Sequence, residues 1–128
     1  MPVIPGRREG FFVVEREGEF VGMVTFDRRD AEHPGHVRPE GNEARLGYLF
    51  LPSAWGQGYA TEACTAALEW FGAAFPGEPV VLPTQTANGA SLRLAQRLGF
   101  RELEVFEEYG AEQWFGVWTG EVAGSPTV

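Results

Sequence analysis

Apolar residues recur along the chain with two different periods, and the points where the period changes set the expected elements. Residues 11–15 and 20–26 are rich in Phe and Val, as strands are, and Arg16-Glu17-Gly18-Glu19 between them supplies the glycine of a hairpin turn. Leu46, Tyr48, Leu49, Phe50 and Leu51 form an apolar run too short for a helix, which predicts a buried strand. Pro52 ends it, because proline cannot donate to a strand ladder. From Ala60 the period lengthens: Ala60, Ala63, Cys64, Ala67, Leu68, Phe71 and Phe75 fall at three- and four-residue spacing, the stripe of an amphipathic helix. Gly77 breaks that run, and Val80-Val81-Leu82 begins another buried strand. A helical crossover between two strands makes them parallel.

The rest of the chain follows the same logic. Pro83 marks a bulge or the point where the second buried strand leaves the sheet. Asn88 caps a helix in which Ser91, Leu94, Ala95 and Leu98 form one stripe, with Gly99 at its C-terminal cap. Residues 100–106 and 112–118 predict a closing hairpin. Residues 1–10, with two prolines and two glycines, read as an irregular lead-in, and residues 27–42 as a long loop. Arg28, Arg29 and Asp30 read as a solvated face, and residues 120–128 as a flexible tail.

Between the central strand and its helix lies Trp55-Gly56-Gln57-Gly58-Tyr59-Ala60-Thr61. Two glycines there let the backbone approach a ligand and take positive φ. The free N–H groups of a helix start, backed by the positive end of the dipole, form an anion site suited to a phosphate. A nucleoside-triphosphate loop needs Gly-Lys-Ser/Thr, and no Lys or Arg follows Gly58. A dinucleotide fingerprint needs a third small residue where Thr61 stands, and an acid at the end of the next strand, whereas Glu78 precedes its strand. A tight strand-to-helix turn that binds nothing stays open as the bland alternative.

Composition narrows the field. At 128 residues, with 44% apolar side chains and four tryptophans, the chain has the size and make-up of one packed domain, taken here as residues 1–119. The single cysteine, Cys64, excludes an internal disulfide and falls on the apolar helix stripe, where a small buried hydrophobe is expected rather than a nucleophile. His33 and His36 flank Pro34-Gly35 with no carboxylate or cysteine cluster, so no metal site is expected. A net charge of −8 disfavours nucleic acid and anionic membrane as partners and leans toward a cationic acceptor such as an amine. With no secretory leader and no apolar run of membrane-spanning length, a cytoplasmic, soluble protein is expected.

The turn also carries a resemblance. Trp-Gly-Gln-Gly-Tyr-Ala-Thr-Glu-Ala, residues 55–63, resembles the acetyl-coenzyme A motif of the GNAT N-acetyltransferases, Gln/Arg-x-x-Gly-x-Gly/Ala. Gly58 and Ala60 match it, while Trp55 stands where Gln or Arg is usual. A second block, residues 86–100 with Asn88, Ser91 and Leu98-Gly99-Phe100, resembles the branch that contains the ribosomal-protein N-terminal acetyltransferases. Two blocks in the family's order are far more specific than either alone, and the resemblance covers residues 11–119. It implies an α/β (α+β) fold: a mixed, mostly antiparallel sheet with a splayed parallel strand pair and flanking helices.

It also implies an acetyl-CoA-dependent N-acetyltransferase acting on an amine of a small molecule or a protein N-terminus. The cosubstrate would lie against Phe50, Leu51, Gly56, Gln57, Gly58, Tyr59, Ala60, Thr61, Asn88 and Ser91. A strand N–H near Phe50 and Leu51 would serve the oxyanion. Many relatives place a tyrosine acid where this chain has Ala95; in the ribosomal branch a serine matching Ser91 has that role, and the alternative for Ser91 is a hydroxyl bonded to its own helix. Relatives often place a glutamate base where this chain has Arg45; Glu43, two residues earlier, is the candidate base on the same strand side, acting through water, or else a strand-end carboxylate.

Family members begin with a strand and two helices that wall the acceptor site, for which this chain has only residues 1–10. Phe11 and Val13 alternate with Phe12 and Val14, so that strand is apolar on both faces. An unpaired outer edge there would recruit a second copy, giving a homo-oligomer through the N-terminal hairpin and weak turnover by the single chain. The competing readings are a degenerate coenzyme A-binding sensor or interaction module without turnover, and a purely structural domain.

Overall fold

The structure, a computed structural model, describes residues 3–5, 10–28 and 41–120. His33, His36, Arg29 and Asp30 lie outside those residues, as does the tail beyond Gly120. The elements are β1 (Val3–Pro5), β2 (Phe11–Arg16), β3 (Glu19–Arg28), β4 (Ala44–Phe50), α1 (Tyr59–Ala74), β5 (Val80–Gln85), α2 (Gly89–Leu98), β6 (Arg101–Glu108) and β7 (Ala111–Trp118). Among the described residues, the strands join one seven-stranded sheet in the order β1-β2-β3-β4-β5-β7-β6. Its neighbours are antiparallel except β4 and β5, which are parallel across the α1 crossover. This is the expected α/β fold.

Both hairpins turn on two residues in the left-handed region, Glu17-Gly18 (φ 52 and 83) and Tyr109-Gly110 (φ 57 and 73). That conformation matches the twist of the strands it joins. The lead-in is not wholly irregular. Val3, Ile4 and Pro5 pair with Val14, Val13 and Phe12, so the outer edge of β2 is closed over residues 12–14. The open edge that motivates self-association through the hairpin is thereby removed at those residues. Val and Ile are strand formers, and a proline is tolerated at the end of an edge strand.

The parallel pair is short. Ala44 faces Val80 and Arg45 faces Val81, and there the pairing stops. Beyond it β5 pairs only with β7, from Leu82↔Gly116 to Gln85↔Gln113, without a register shift at Pro83. Pro83 therefore marks departure from β4, not a bulge. The sheet opens between β4 and β5 toward their C-terminal ends.

Period-2 alternation puts Phe12, Val14, Val24, Phe26, Leu46 and Phe50 on one face of the sheet. They pack with Ala63, Cys64, Ala67, Leu68 and Phe71 of α1 and Leu94, Ala95 and Leu98 of α2 in one core. An aromatic group closes one end of it: Phe12 meets Trp70 edge-on at 5.1 Å, and Phe71 lies 5.0 Å from Phe26 and 4.9 Å from Phe75. Arg28 is exposed, as expected, but it is not without contacts. Its guanidinium lies 5.4 Å from the centre of the Phe75 ring and pairs with Glu78 at 2.8 Å, tying the end of β3 to the chain after α1. On the opposite face Val81, Phe115 and Val117 pack with Phe106 in a smaller cluster.

Candidate functional site

The site begins where β4 stops. Pro52–Ala54 form a single 3-10 turn. Gly56 and Gly58 then take positive φ, 74° and 80°, so the chain reverses and enters α1 in two sharp steps. Gly58 is the N-cap of α1, and no side chain caps the helix. The N–H groups of the first turn are thus left for a ligand or solvent. Two side chains brace the turn. Trp55 donates its indole N–H to Phe50 O at 3.0 Å, and Gln57 donates Nε2 to Ser53 O at 2.6 Å. The Gln57 side chain is folded back and does not line the cavity described next.

A cavity of 790 Å³ lies under the open end of the sheet. The turn and first residues of α1 (Gly56, Gly58, Tyr59, Ala60 and Thr61) form one wall, and α2 with its cap (Asn88, Ser91, Leu94) forms the other. Tyr48, Leu49 and Phe50 of β4 form the floor. Leu51 N donates to Val21 O at 2.9 Å, so odd residues of β4 turn their backbone groups toward β3 and even residues turn theirs toward β5. Past Arg45 there is no β5 ladder to meet them. The N–H groups of Tyr48 and Phe50 accordingly face the opening, whereas that of Leu51 does not.

On the floor, the hydroxyls of Tyr48 and Ser91 share a short hydrogen bond. Strand alternation points Tyr48 toward the helices, and α2 is fixed above it by Asn88, whose Oδ1 accepts from Ser91 N at 3.1 Å. Burial pushes the Tyr48 phenol above its ordinary pKa of 10.0; the bond to Ser91 opposes that shift and nearby Cys64 adds to it. At neutral pH the phenol keeps its proton, so either hydroxyl can donate in the shared bond. Cys64 is fully buried, its thiol pushed up to about 12 by burial, so it is an inert core residue.

Glu43 is also fully buried, but it precedes β4 and does not line the cavity. Nor does it share a side with Arg45, which is exposed; the alternation expected there fails because Glu43, buried like Ala44, lies one residue before the strand begins at Ala44. Sequence reasoning missed Tyr48 as a polar group, Trp55 as a brace, and Arg93 and Arg97, which also line the cavity. The four-residue spacing of the two arginines on one helix was the available signal. Among the described residues, no three His, Cys, Asp or Glu side chains are grouped to hold a metal ion, and no helix is long and apolar enough to cross a membrane.

A family model described as an acetyltransferase (GNAT) domain matches residues 4–101. The chain belongs to the GNAT acetyltransferase family. No curated protein matches it. Among solved structures, a GnaT-family acetyltransferase from Bordetella pertussis is similar with a TM-score of 0.72 and 28% identity, over 84% of this chain and 64% of that one. RimJ from Mycobacterium smegmatis, in complex with CoA-disulfide, gives 0.70 and 24% over 88% and 56%. A ribosomal-protein-alanine N-acetyltransferase from Brucella melitensis gives 0.69 and 19% over 85% and 67%. The last two likenesses speak to the fold alone. The chain spans 64%, 66% and 65% of three of the bacterial acetyltransferases it matches.

Proposed function

We propose that the chain transfers the acetyl group of acetyl-CoA to an amine, of a small molecule or of a protein N-terminus. One observation carries this reading: the uncapped, double-glycine start of α1 opens onto the same cavity in which β4 and β5 part and the Tyr48–Ser91 pair sits. The match of residues 4–101 to the GNAT acetyltransferase domain model supports it. The first-turn N–H groups of α1 take the pyrophosphate, and the pantetheine arm runs along the open edge of β4.

The unprotonated amine attacks the thioester carbonyl carbon, and the C–N bond forms at the expense of the C–S bond. The Phe50 N–H, which faces the opening, donates to the developing oxyanion. The thiolate leaves with the bonding pair and takes a proton from Ser91, which Tyr48 replaces from its phenol. Water carries away the proton lost by the new ammonium and returns one to Tyr48. Glu43, outside the cavity lining, fits better as a structural carboxylate than as the base.

Calorimetry with acetyl-CoA, followed by thiol release with a panel of amines, tests the proposal. The chain contains no lysine, so side-chain self-acetylation adds no background. The parent is expected to bind, and Gly58→Glu to lose most affinity, since it puts bulk and negative charge at the anion site. Equal affinity in both would remove the turn as the site. Binding without thiol release to any amine would leave a coenzyme-binding module.

A further inference from the structure

The acetyl-CoA reading uses the α1 turn, the parted strands and the Tyr48–Ser91 pair, and leaves two cations on the opposite wall without a task. Arg93 and Arg97 stand one turn apart on α2, exposed, and both line the cavity. Among the described residues no carboxylate forms an ion pair with either guanidinium, in a chain whose net charge is −8.

The position of Arg93 adds an independent sign. Its Nη1 lies 3.2 Å from where a Cβ on Gly89 would stand, so the guanidinium folds back over the first turn of α2. That turn carries no acidic side chain. A cation beside the positive end of a helix is unfavourable by itself, and an anion placed between the two reverses the sign. The protein supplies the cation and the helix end, and the missing partner is an anion in the cavity.

Coenzyme A offers two kinds of phosphate. Its pyrophosphate fits the backbone N–H groups of the α1 turn, which need no cationic side chain. Its ribose 3′-phosphate is a separate monoester carrying about −1.5 to −2 charge at neutral pH. Such a group is matched by forked guanidinium donors. Resting on the acetyl-CoA reading above, we propose that Arg93 and Arg97 together hold the ribose 3′-phosphate, so that the site selects coenzyme A over its 3′-dephospho form.

The test is calorimetry with coenzyme A and 3′-dephospho-coenzyme A on the parent, on Arg93→Ala/Arg97→Ala, and on Arg101→Gln as a charge control outside the cavity. Both arginines of α2 are exposed, so the double variant should keep its fold, as circular dichroism would verify. The parent should bind coenzyme A about tenfold to a hundredfold more tightly than the dephospho form. The double variant should bind both alike, at the affinity the parent has for the dephospho form, and Arg101→Gln should discriminate as the parent does. Equal binding of the two ligands by the parent, or undiminished discrimination by the double variant, would overturn the arginine assignment while leaving the acetyl-CoA site standing. Failure of the folded parent to bind either ligand would overturn both.

Discussion

At the scale of single residues, the proposed chemistry rests on hydroxyls that the fold brings together from β4 and α2. Ser91→Ala is expected to lower turnover by ~10²–10⁴ if it is the full proton donor, with coenzyme affinity held within a few-fold. Tyr48→Phe should act through the same step, so adding it to Ser91→Ala should cost little more, a coupling that a double-mutant cycle reads. It should also alter the alkaline limb of the pH–rate profile, because the parent needs the protonated phenol and burial raises its pKa. Parental kcat in Ser91→Ala with a good amine would leave water as the donor. Cys64 gives a second test, on stability. Its folded pKa is raised from 9.0 to about 12, so the folded state keeps a proton that the unfolded state loses across that window. The stabilisation is complete below the unfolded value and falls with rising pH by up to about 1.4 kcal/mol per unit. Urea unfolding of the parent and Cys64→Ala should therefore converge above pH 9.0; parallel curves would contradict the assignment. Ser91 was legible through its motif and Cys64 through its helical stripe. The Tyr48 hydroxyl was not, because its partner lies on a different element and its meaning depends on how α2 sits over β4.

At the scale of elements, the strands and both helices were legible because each has a period and a punctuation mark of its own. The central strand stops at Pro52, α1 starts after Gly58, and α2 runs from the Asn88 cap to Gly99, which takes φ 95°. The short edge strand was not legible. Three residues between prolines and glycines carry no period, and β1 exists only because Val13 and its neighbours in β2 offer a ladder to join. The same limit hid the role of Arg28. Three polar residues in a row read as solvent-facing, and Arg28 is exposed, but the reading could not show that the end of β3 lies beside Phe75 and Glu78, far along the chain. Glu43 shows the reverse error: strand alternation was extended one residue past the point where the backbone is a strand. The positive φ of Gly56 and Gly58, by contrast, was implicit in the residue type itself.

At the scale of the whole molecule, the sheet is two sets of strands joined by a short seam. β1 to β4 form one set and β5, β7 and β6 the other, and between them only Ala44↔Val80 and Arg45↔Val81 pair in parallel. The remaining connection runs through α1 and α2, which pack on both sets in the common core. Beyond the seam, the N–H groups of Tyr48 and Phe50 face the cavity rather than a ladder, as do those of the uncapped first turn of α1. Backbone groups without ladder partners exchange with solvent far faster than ladder amides. A coenzyme lying in the opening would bridge the two sets and occupy those groups. Saturating coenzyme A should therefore slow hydrogen–deuterium exchange at Tyr48, Phe50 and the first turn of α1. It should leave the amides at the Glu17-Gly18 and Tyr109-Gly110 turns unchanged, since they lie outside the cavity. At a hundredfold excess over Kd the same binding should raise global stability by about 2.7 kcal/mol, visible as a higher melting midpoint. A raised midpoint with no protection at Tyr48, Phe50 or the α1 start would mean that the ligand binds elsewhere, and the opening between β4 and β5 would lose its place as the proposed acetyl-transfer site.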